Sequence, residues 1–330
     1  MILLVSETND LHGDAVASRL TEMGESFARI SPAKLDADFY TIDPLRDEFT
    51  AGQPLLSQGG DGALGNTYNA IWWRRPRSLE DKLKLAFPLG EEIASAEAYH
   101  SFRLACEALP RRFFPLGHPV PMENAANKLL QLHLAKRVGF AVPETLVGNN
   151  PSAHREFLQR HERVVVKPLH ANVAYDKVNR GTAVQELWCR GFPSAALLPH
   201  MQEQRPVQLM IQAAVPKIRD WRITVLPMQT FCCEIDTSNL PPDEPDFRPK
   251  TMSLPHTMIP IEPQFDQQLR RFLQELELPA GYFDFAVPKD GLPVFLECNT
   301  NAQWLWIEKL TGVSISGEIA RCLATGAAAR

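Results

Sequence analysis

The segment Gly281 to Asn301, GYFDFAVPKDGLPVFLECNTN, constrains the fold more than any other stretch of the chain. Two strand-forming runs flank Asp290-Gly291, a dipeptide suited to a tight hairpin turn. A two-residue turn at that point sets Asp284 opposite Glu297. Alternation adds Asn299 to the same face and points Val294, Leu296 and Cys298 to the other. Carboxylates opposed on strands otherwise made of Phe283, Phe285, Val294 and Phe295 repel each other and resist burial, so a cation must occupy the gap. Two carboxylates and an amide oxygen form a hard, oxygen-only set, which suits Mg²⁺ that also shares phosphate oxygens. The same pattern also describes a polar sheet face neutralised by a nearby Arg or Lys.

Basic residues suited to phosphate lie upstream. In DWRITV, Asp220 and Arg222 share a face, while Trp221, Ile223 and Val225 turn to a core. A guanidinium on a rigid strand can hold phosphate oxygens with two parallel bonds, and Arg248 in PDFRPK offers a second from a loop. Lys167, ending the run RVVVKP, and Lys128, in a turn of the helical stretch 124–138, are further candidate donors. For each of these the alternative is a surface salt bridge. G-x-x-x-x-G-K-[ST] does not occur, and the G-x-G-x-x-G match at Gly60 to Gly65 falls in a polar loop ahead of a strand rather than between a strand and a helix, so a P-loop and a dinucleotide fold are both unsupported.

At 330 residues, with 45% hydrophobic and 22% charged, the chain is long enough for two or three packed units. A net charge of −5 gives no general attraction to a phosphate backbone, which disfavours nucleic acid as the main partner. No apolar run reaches the roughly 18 residues of a membrane span, and MILLVSETND turns polar too early for a signal peptide, so a soluble cytoplasmic protein is expected. The six cysteines show no C-x-x-C pair and read as reduced core thiols.

The chain opens as β-α: a MILLVSE strand, then a helix with Val16, Leu20 and Met23 on one face. A loop from Gly52 to Asn69 precedes the strand YNAIWWRRP, and a helix runs from about 91 to 109. The proline-dense PRRFFPLGHPVPME leaves little room for regular structure and marks a boundary near 118/119. A helix over 124–138 buries Leu130, Leu134 and Val138. RVVVKP, VQLMIQAAV, DWRITV and FCCEI read as strands of one mixed sheet. Two surface helices pack on it, one with Phe265, Leu269, Phe272, Leu273 and Leu276, the other with Ile315, Ile319, Cys322 and Leu323.

The ordered set Asn127-Lys128-Leu-Leu-Gln131, Lys167-Pro-Leu169, Gln212 with Asp220-Trp-Arg222, Asp246-Phe-Arg248, Phe283-Asp284-Phe285 and Phe295-Leu-Glu297-Cys-Asn299 resembles the ATP-grasp ligases. Within that superfamily it is most similar to the microviridin-type (graspetide) peptide maturases, as are Trp72-Trp73-Arg74-Arg75-Pro76 and Asn301-Ala-Gln303-Trp304-Leu-Trp306-Ile-Glu308. The resemblance implies an α/β (α+β) chain: a pre-ATP-grasp domain over 1–118, then an ATP-grasp domain over 119–330. The latter would comprise a central or lid subdomain at about 140–206 and a metal-binding subdomain at about 207–330. It further implies that Lys128 and Lys167 contact the phosphates of ATP, that Gln212 and Val215 border the adenine, and that Asp220 meets the ribose. Arg222 and Arg248 would meet the transferred phosphoryl group, and Asp284, Glu297 and Asn299 would hold Mg²⁺. The implied reaction is ligation of a carboxylate to an amine or hydroxyl through an acyl phosphate, forming side-chain ester or amide crosslinks in a precursor peptide, by a homodimer. An intermolecular ligase resembling glutamate ligases or glutathione synthase, and a non-catalytic nucleotide-binding regulator, are the alternatives.

Overall fold

Ile2–Ser6 (β1) is buried along its whole length, as a parallel strand covered on both faces must be. The computed structural model describes residues 1–7, 9–30, 40–43, 48–51, 70–74, 100–101, 103–104, 114–167, 169, 173–175, 183–186, 189–200, 209–243, 245–289 and 291–326. β1 lies between β2 (Phe27–Ile30) and β5 (Ala70–Arg74) in a four-stranded sheet that β6 (Phe114–Leu116) completes. Every pairing in it is parallel. Helix α1 (Leu11–Glu22) follows β1, capped by Asp10, whose carboxylate accepts the His12 N–H at 3.1 Å. Val16 and Leu20 are buried, but Met23 caps the helix end and is exposed. β3 (Tyr40–Asp43) and β4 (Glu48–Ala51) form a separate antiparallel hairpin. The expected loop over 52–69 lies outside the described residues, as does most of the expected helix over 91–109.

The proline-dense stretch is more regular than expected. It holds β6 and the start of α2 (Pro119–Ala125), because proline is tolerated in a first helical turn, where its missing N–H has no intrahelical partner. The next helix, α3 (Lys128–Val138), begins at the Asn127 cap rather than at 124 and ends on Gly139 in the left-handed region, φ 95°. Leu130 is exposed, and Gln131 is buried with Leu134 and Val138. Its amide explains the exchange. Nε2 donates to the carbonyls of Ala125 (2.6 Å) and Cys298 (2.8 Å), and Oε1 accepts the Cys298 N–H at 2.8 Å.

The strands expected to form one mixed sheet instead fall into two antiparallel ones. The first has the order β11-β8-β12-β7, from β7 (Thr145–Gly148), β8 (Arg163–Lys167), β11 (Arg190–Pro193) and β12 (Leu209–Ala213). Helices α4 (Pro151–Arg160) and α5 (Ser194–Leu197) accompany it, with Phe157 and Leu158 in a small core with Val164 and Ile211. β9 (Val173–Tyr175) and β10 (Ala183–Glu186) pair separately. The second sheet has the order β15-β14-β13-β16-β17. Its strands are β13 (Lys217–Val225), β14 (Thr230–Asp236), β15 (His256–Ile259), β16 (Gly281–Pro288) and β17 (Val294–Asn299).

Helix α6 (Pro263–Glu275) buries Leu269, Phe272 and Leu273 against that sheet, in one core with Phe283, Phe285 and Phe295. Leu3, Val5 and Trp73 of the N-terminal sheet belong to the same core. The opposite face of that sheet, with Ile2, Leu4 and Trp72, shares a second core with Tyr282, Trp304, Ile307 and Ile319. Helix α7 (Leu305–Thr311) leads into α8 (Ile315–Ala324), which is buried on most sides and packs against α1, β5 and β6, not on the surface of the sheet. Among the described residues no helix is long and apolar enough to cross a membrane. Cys189, Cys232, Cys233, Cys298 and Cys322 are free thiols.

Candidate active site

A cavity of about 500 Å³ opens between the two antiparallel sheets. Lys128, Lys167, Gln212, Val215, Asp220, Arg248, Asp284 and Glu297 line it, which brings together eight of the ten residues picked from the sequence. Arg222 and Asn299 stand behind the lining, each bonded to Asp284. The volume suits a small organic ligand.

The polar end is built on β13, β16 and β17. Asp284 pairs with Glu297, and Tyr282 with Asn299. The register reaches this result by a route that differs from a plain two-residue turn. Nearer the turn Phe285 faces Phe295, and a bulge at Leu296 then restores the expected pairing at Asp284. The extra residue puts Phe295 and Cys298 in the core and Leu296 on the cavity wall, whereas strict alternation gives Leu296 to the core side. A second bulge, at Ile218 on β13, brings Lys217 onto the face of Asp220. There its ammonium bonds the Asp220 carboxylate. Both bulges border the cavity, and neither Lys217 nor Leu296 can be assigned to it by counting alternate residues.

The cations expected beside the acid pair are present. Arg222 Nη1 donates to Asp284 Oδ2 at 2.5 Å, and Lys128 Nζ lies 4.0 Å from Glu297 Oε2. Asn299 donates through Nδ2 to Asp284 Oδ2 (3.2 Å) and Glu297 Oε1 (3.4 Å). Burial pushes the Asp284 carboxyl up, outweighing Arg222. Burial acts the same way on Glu297, but Lys167, Lys128 and Arg248 together hold its carboxyl below the ordinary value. Burial also raises Asp220, against the pull of Lys217.

Each base has a fixed origin. Asn127 accepts the N–H groups of Leu129 (3.0 Å) and Leu130 (3.2 Å), which starts α3 at Lys128 and sets that ammonium beside the positive end of the helix. Lys167 ends β8, opposite Met210 of β12. Arg248 opens a short 3-10 helix, and Asp246 orients its guanidinium, accepting Nε at 2.8 and 3.0 Å. Cys189 completes the wall near these charges.

The rest of the wall mixes apolar Pro143, Val165, Leu240, Pro241 and Pro242 with His161, Glu162 and Arg163. Its rim is the connection from β12 to β13. There the Ala213 and Ala214 N–H groups are used by the carbonyls of Glu144 (2.9 Å) and Arg163 (3.0 Å), and the Val215 carbonyl accepts Lys217 N–H at 2.8 Å. The buried Gln212 amide donates to Thr145 Oγ1 at 2.9 Å, so it supports this rim.

A divalent cation fits the polar end. Asp284 Oδ1 is buried with no hydrogen-bond partner, an acceptor that a metal ion would satisfy. Among the described residues no three His, Cys, Asp or Glu side chains converge to close a metal cage. Two carboxylates and an amide leave coordination positions for phosphate oxygens and water, as Mg²⁺ prefers.

No family model matches the chain, and no curated relative does. Solved structures do. The macrocyclase MdnC bound with precursor peptide MdnA, from Microcystis aeruginosa MRC, is 24% identical, with a TM-score of 0.77 over 99% of this chain and 100% of its own. A Chryseobacterium gregarium RiPP-associated ATP-grasp ligase, in complex with ADP and a leader and core peptide, is 21% identical, with a TM-score of 0.79 over 99% and 97%. ATP-grasp ligase PsnB, complexed with a phosphomimetic variant of its minimal precursor, Mg and ADP, is 18% identical, with a TM-score of 0.73 over 98% of both. Across nearly its whole length, the chain has the fold of the ATP-grasp ligases that modify ribosomal peptides.

Proposed function

We propose that the protein is an ATP-dependent ligase that activates a side-chain carboxylate of a ribosomal precursor peptide as an acyl phosphate and passes the acyl group to a hydroxyl or amine of the same peptide. One observation carries this reading: Lys128, Lys167 and Arg248 converge with the Asp284–Glu297 pair in a cavity whose remaining wall offers a partly apolar slot rimmed by the β12–β13 connection. The ADP, Mg and peptides of the similar structures support the same assignment.

In this reading the adenine lies in the slot beside Gln212 and Val215, and Asp220 meets the ribose. Lys128 and Lys167 hold phosphate oxygens. Arg248, oriented by Asp246, and Arg222, once released from Asp284, hold the phosphoryl group in transfer. Asp284, Glu297 and Asn299 would hold Mg²⁺, Asn299 through its amide oxygen. Bound Mg²⁺ supplies positive charge to the phosphate oxygens. The chain's own contribution is to position and neutralise. The reading keeps a division near 118/119 between an N-terminal unit and the ATP-grasp unit, and takes the working form as a cytoplasmic homodimer of the graspetide type.

The experiment is incubation with ATP, Mg²⁺ and candidate precursors, short peptides rich in Asp or Glu with Thr, Ser or Lys, followed by mass spectrometry. Loss of one water per bond, with ADP formed, is the expected result. Gain of a residue identifies the intermolecular ligase. An unchanged peptide and unconsumed ATP across the panel count against catalysis.

A further inference from the structure

We propose that Arg74, a residue of the N-terminal sheet outside the cavity, is a positioning residue for the Asp284–Glu297–Asn299 cluster, acting through the turn Thr300–Trp304; the proposal rests on the metal-nucleotide reading above. Arg74 ends β5 and is 2% exposed. Its Nε donates to Asp10 Oδ2 at 3.1 Å, its Nη1 donates to the Ala302 carbonyl at 2.6 Å, and its guanidinium lies 5.0 Å from the centre of the Trp304 ring. One planar group thus joins the cap of α1, the end of β5 and a carbonyl 228 residues away, three positions after Asn299.

The contacts continue to the cluster without a gap. Trp304 is fully buried, donates Nε1 to Ser316 Oγ at 2.9 Å, and meets the His12 ring at 4.5 Å. Its ring stacks on Tyr282 at 5.8 Å and 5°. Tyr282 is the cross-strand partner of Asn299, whose amide bonds both carboxylates. A buried ion pair adds little net stability compared with apolar residues of the same volume. What a guanidinium in this place supplies is direction. Its fork reaches a carboxylate and a carbonyl at once while its face covers an indole, a combination that a lysine ammonium cannot reproduce. The two tryptophan-rich segments that stand out in the sequence, 72–76 and 301–308, therefore meet at Arg74 and Trp304.

The test measures Mn²⁺ binding in the presence of ADP, by the electron paramagnetic resonance of free Mn²⁺, alongside ADP binding without metal. Wild type, Arg74→Lys, Asp10→Asn and Asn299→Ala are compared. Arg74→Lys should weaken ADP-dependent Mn²⁺ binding about tenfold, as loss of an outer support of a metal site does. Metal-free ADP binding should stay unchanged, because the slot and the lysines are held by other elements. Asp10→Asn, which keeps the volume and the helix cap, should shift Mn²⁺ binding in the same direction by a smaller factor; it decides the matter if Arg74→Lys does not fold. Mn²⁺ affinity unmoved in both variants, with Asn299→Ala weakened, overturns this proposal alone. No ADP-dependent Mn²⁺ site in wild type overturns the metal reading and this proposal with it.

Discussion

Arg222 and Glu297 sit on the same sheet face but carry opposite expectations. Arg222→Lys keeps a charge beside Asp284 and loses the planar fork, so Mg-ATP affinity measured by calorimetry should survive. Single-turnover product formation should fall on the order of a hundredfold, about 2.7 kcal/mol, if the fork serves the transferring phosphoryl group. Unchanged turnover would reduce Arg222 to the counter-ion of Asp284. Glu297 gives a test against pH. Lysines 167 and 128 and Arg248 hold its carboxyl below the ordinary value of 4.5 despite burial, so its ionised form stabilises the fold above that value, and the contribution is lost as pH falls through the lowered one. In protein without nucleotide, wild type should therefore melt above Glu297→Gln at pH 7, and the gap should close below about pH 4.5. A gap that stays constant with pH would remove the electrostatic account of this residue.

At the scale of single elements, β17 is the informative case. It is an edge strand, and its outer side is closed by the Gln131 amide on Cys298 and by the Ala141 carbonyl, which accepts the Phe295 N–H at 2.8 Å. Gln131→Leu leaves the Cys298 N–H and carbonyl buried and unpaired, which should lower stability by roughly 2 to 4 kcal/mol in urea titrations. A loss below about 0.5 kcal/mol would mean that water or a neighbour replaces the clamp. The hairpin also marks how far a sequence can be read. Residue types and alternation are enough to put Asp284 against Glu297, Asp220 beside Arg222, and Ile223 in the core. They are blind to bulges, which change the count without leaving a mark in composition, so Lys217 and Leu296 escape. The exchange of Leu130 for Gln131 escapes for another reason: the partner that buries the amide lies 167 residues away. Met23 falls on an apolar stripe, yet its helix has already ended there.

For the molecule as a whole, the two faces of the N-terminal sheet are covered by residues from the far half of the chain. A fragment spanning 119–330 loses Ile2, Leu4, Trp72, Leu3, Val5 and Trp73 from the two shared cores. At roughly 2 kcal/mol for each such side chain, the loss of about 12 kcal/mol matches the whole net stability of a typical domain. That fragment should show no cooperative transition by circular dichroism, and a sharp melt near that of the full chain would contradict the shared-core account. The arrangement also bears on how the protein is made. Roughly 300 residues separate β1 from α8, on the order of 15 to 60 s of translation, and during that interval the first sheet has emerged while the helix that covers it has not been synthesised. The nascent N-terminal third must wait with Ile2, Leu4 and Trp72 uncovered, so yield in the cell should depend on chaperones that hold the emerging chain and on the rate at which its last residues are delivered.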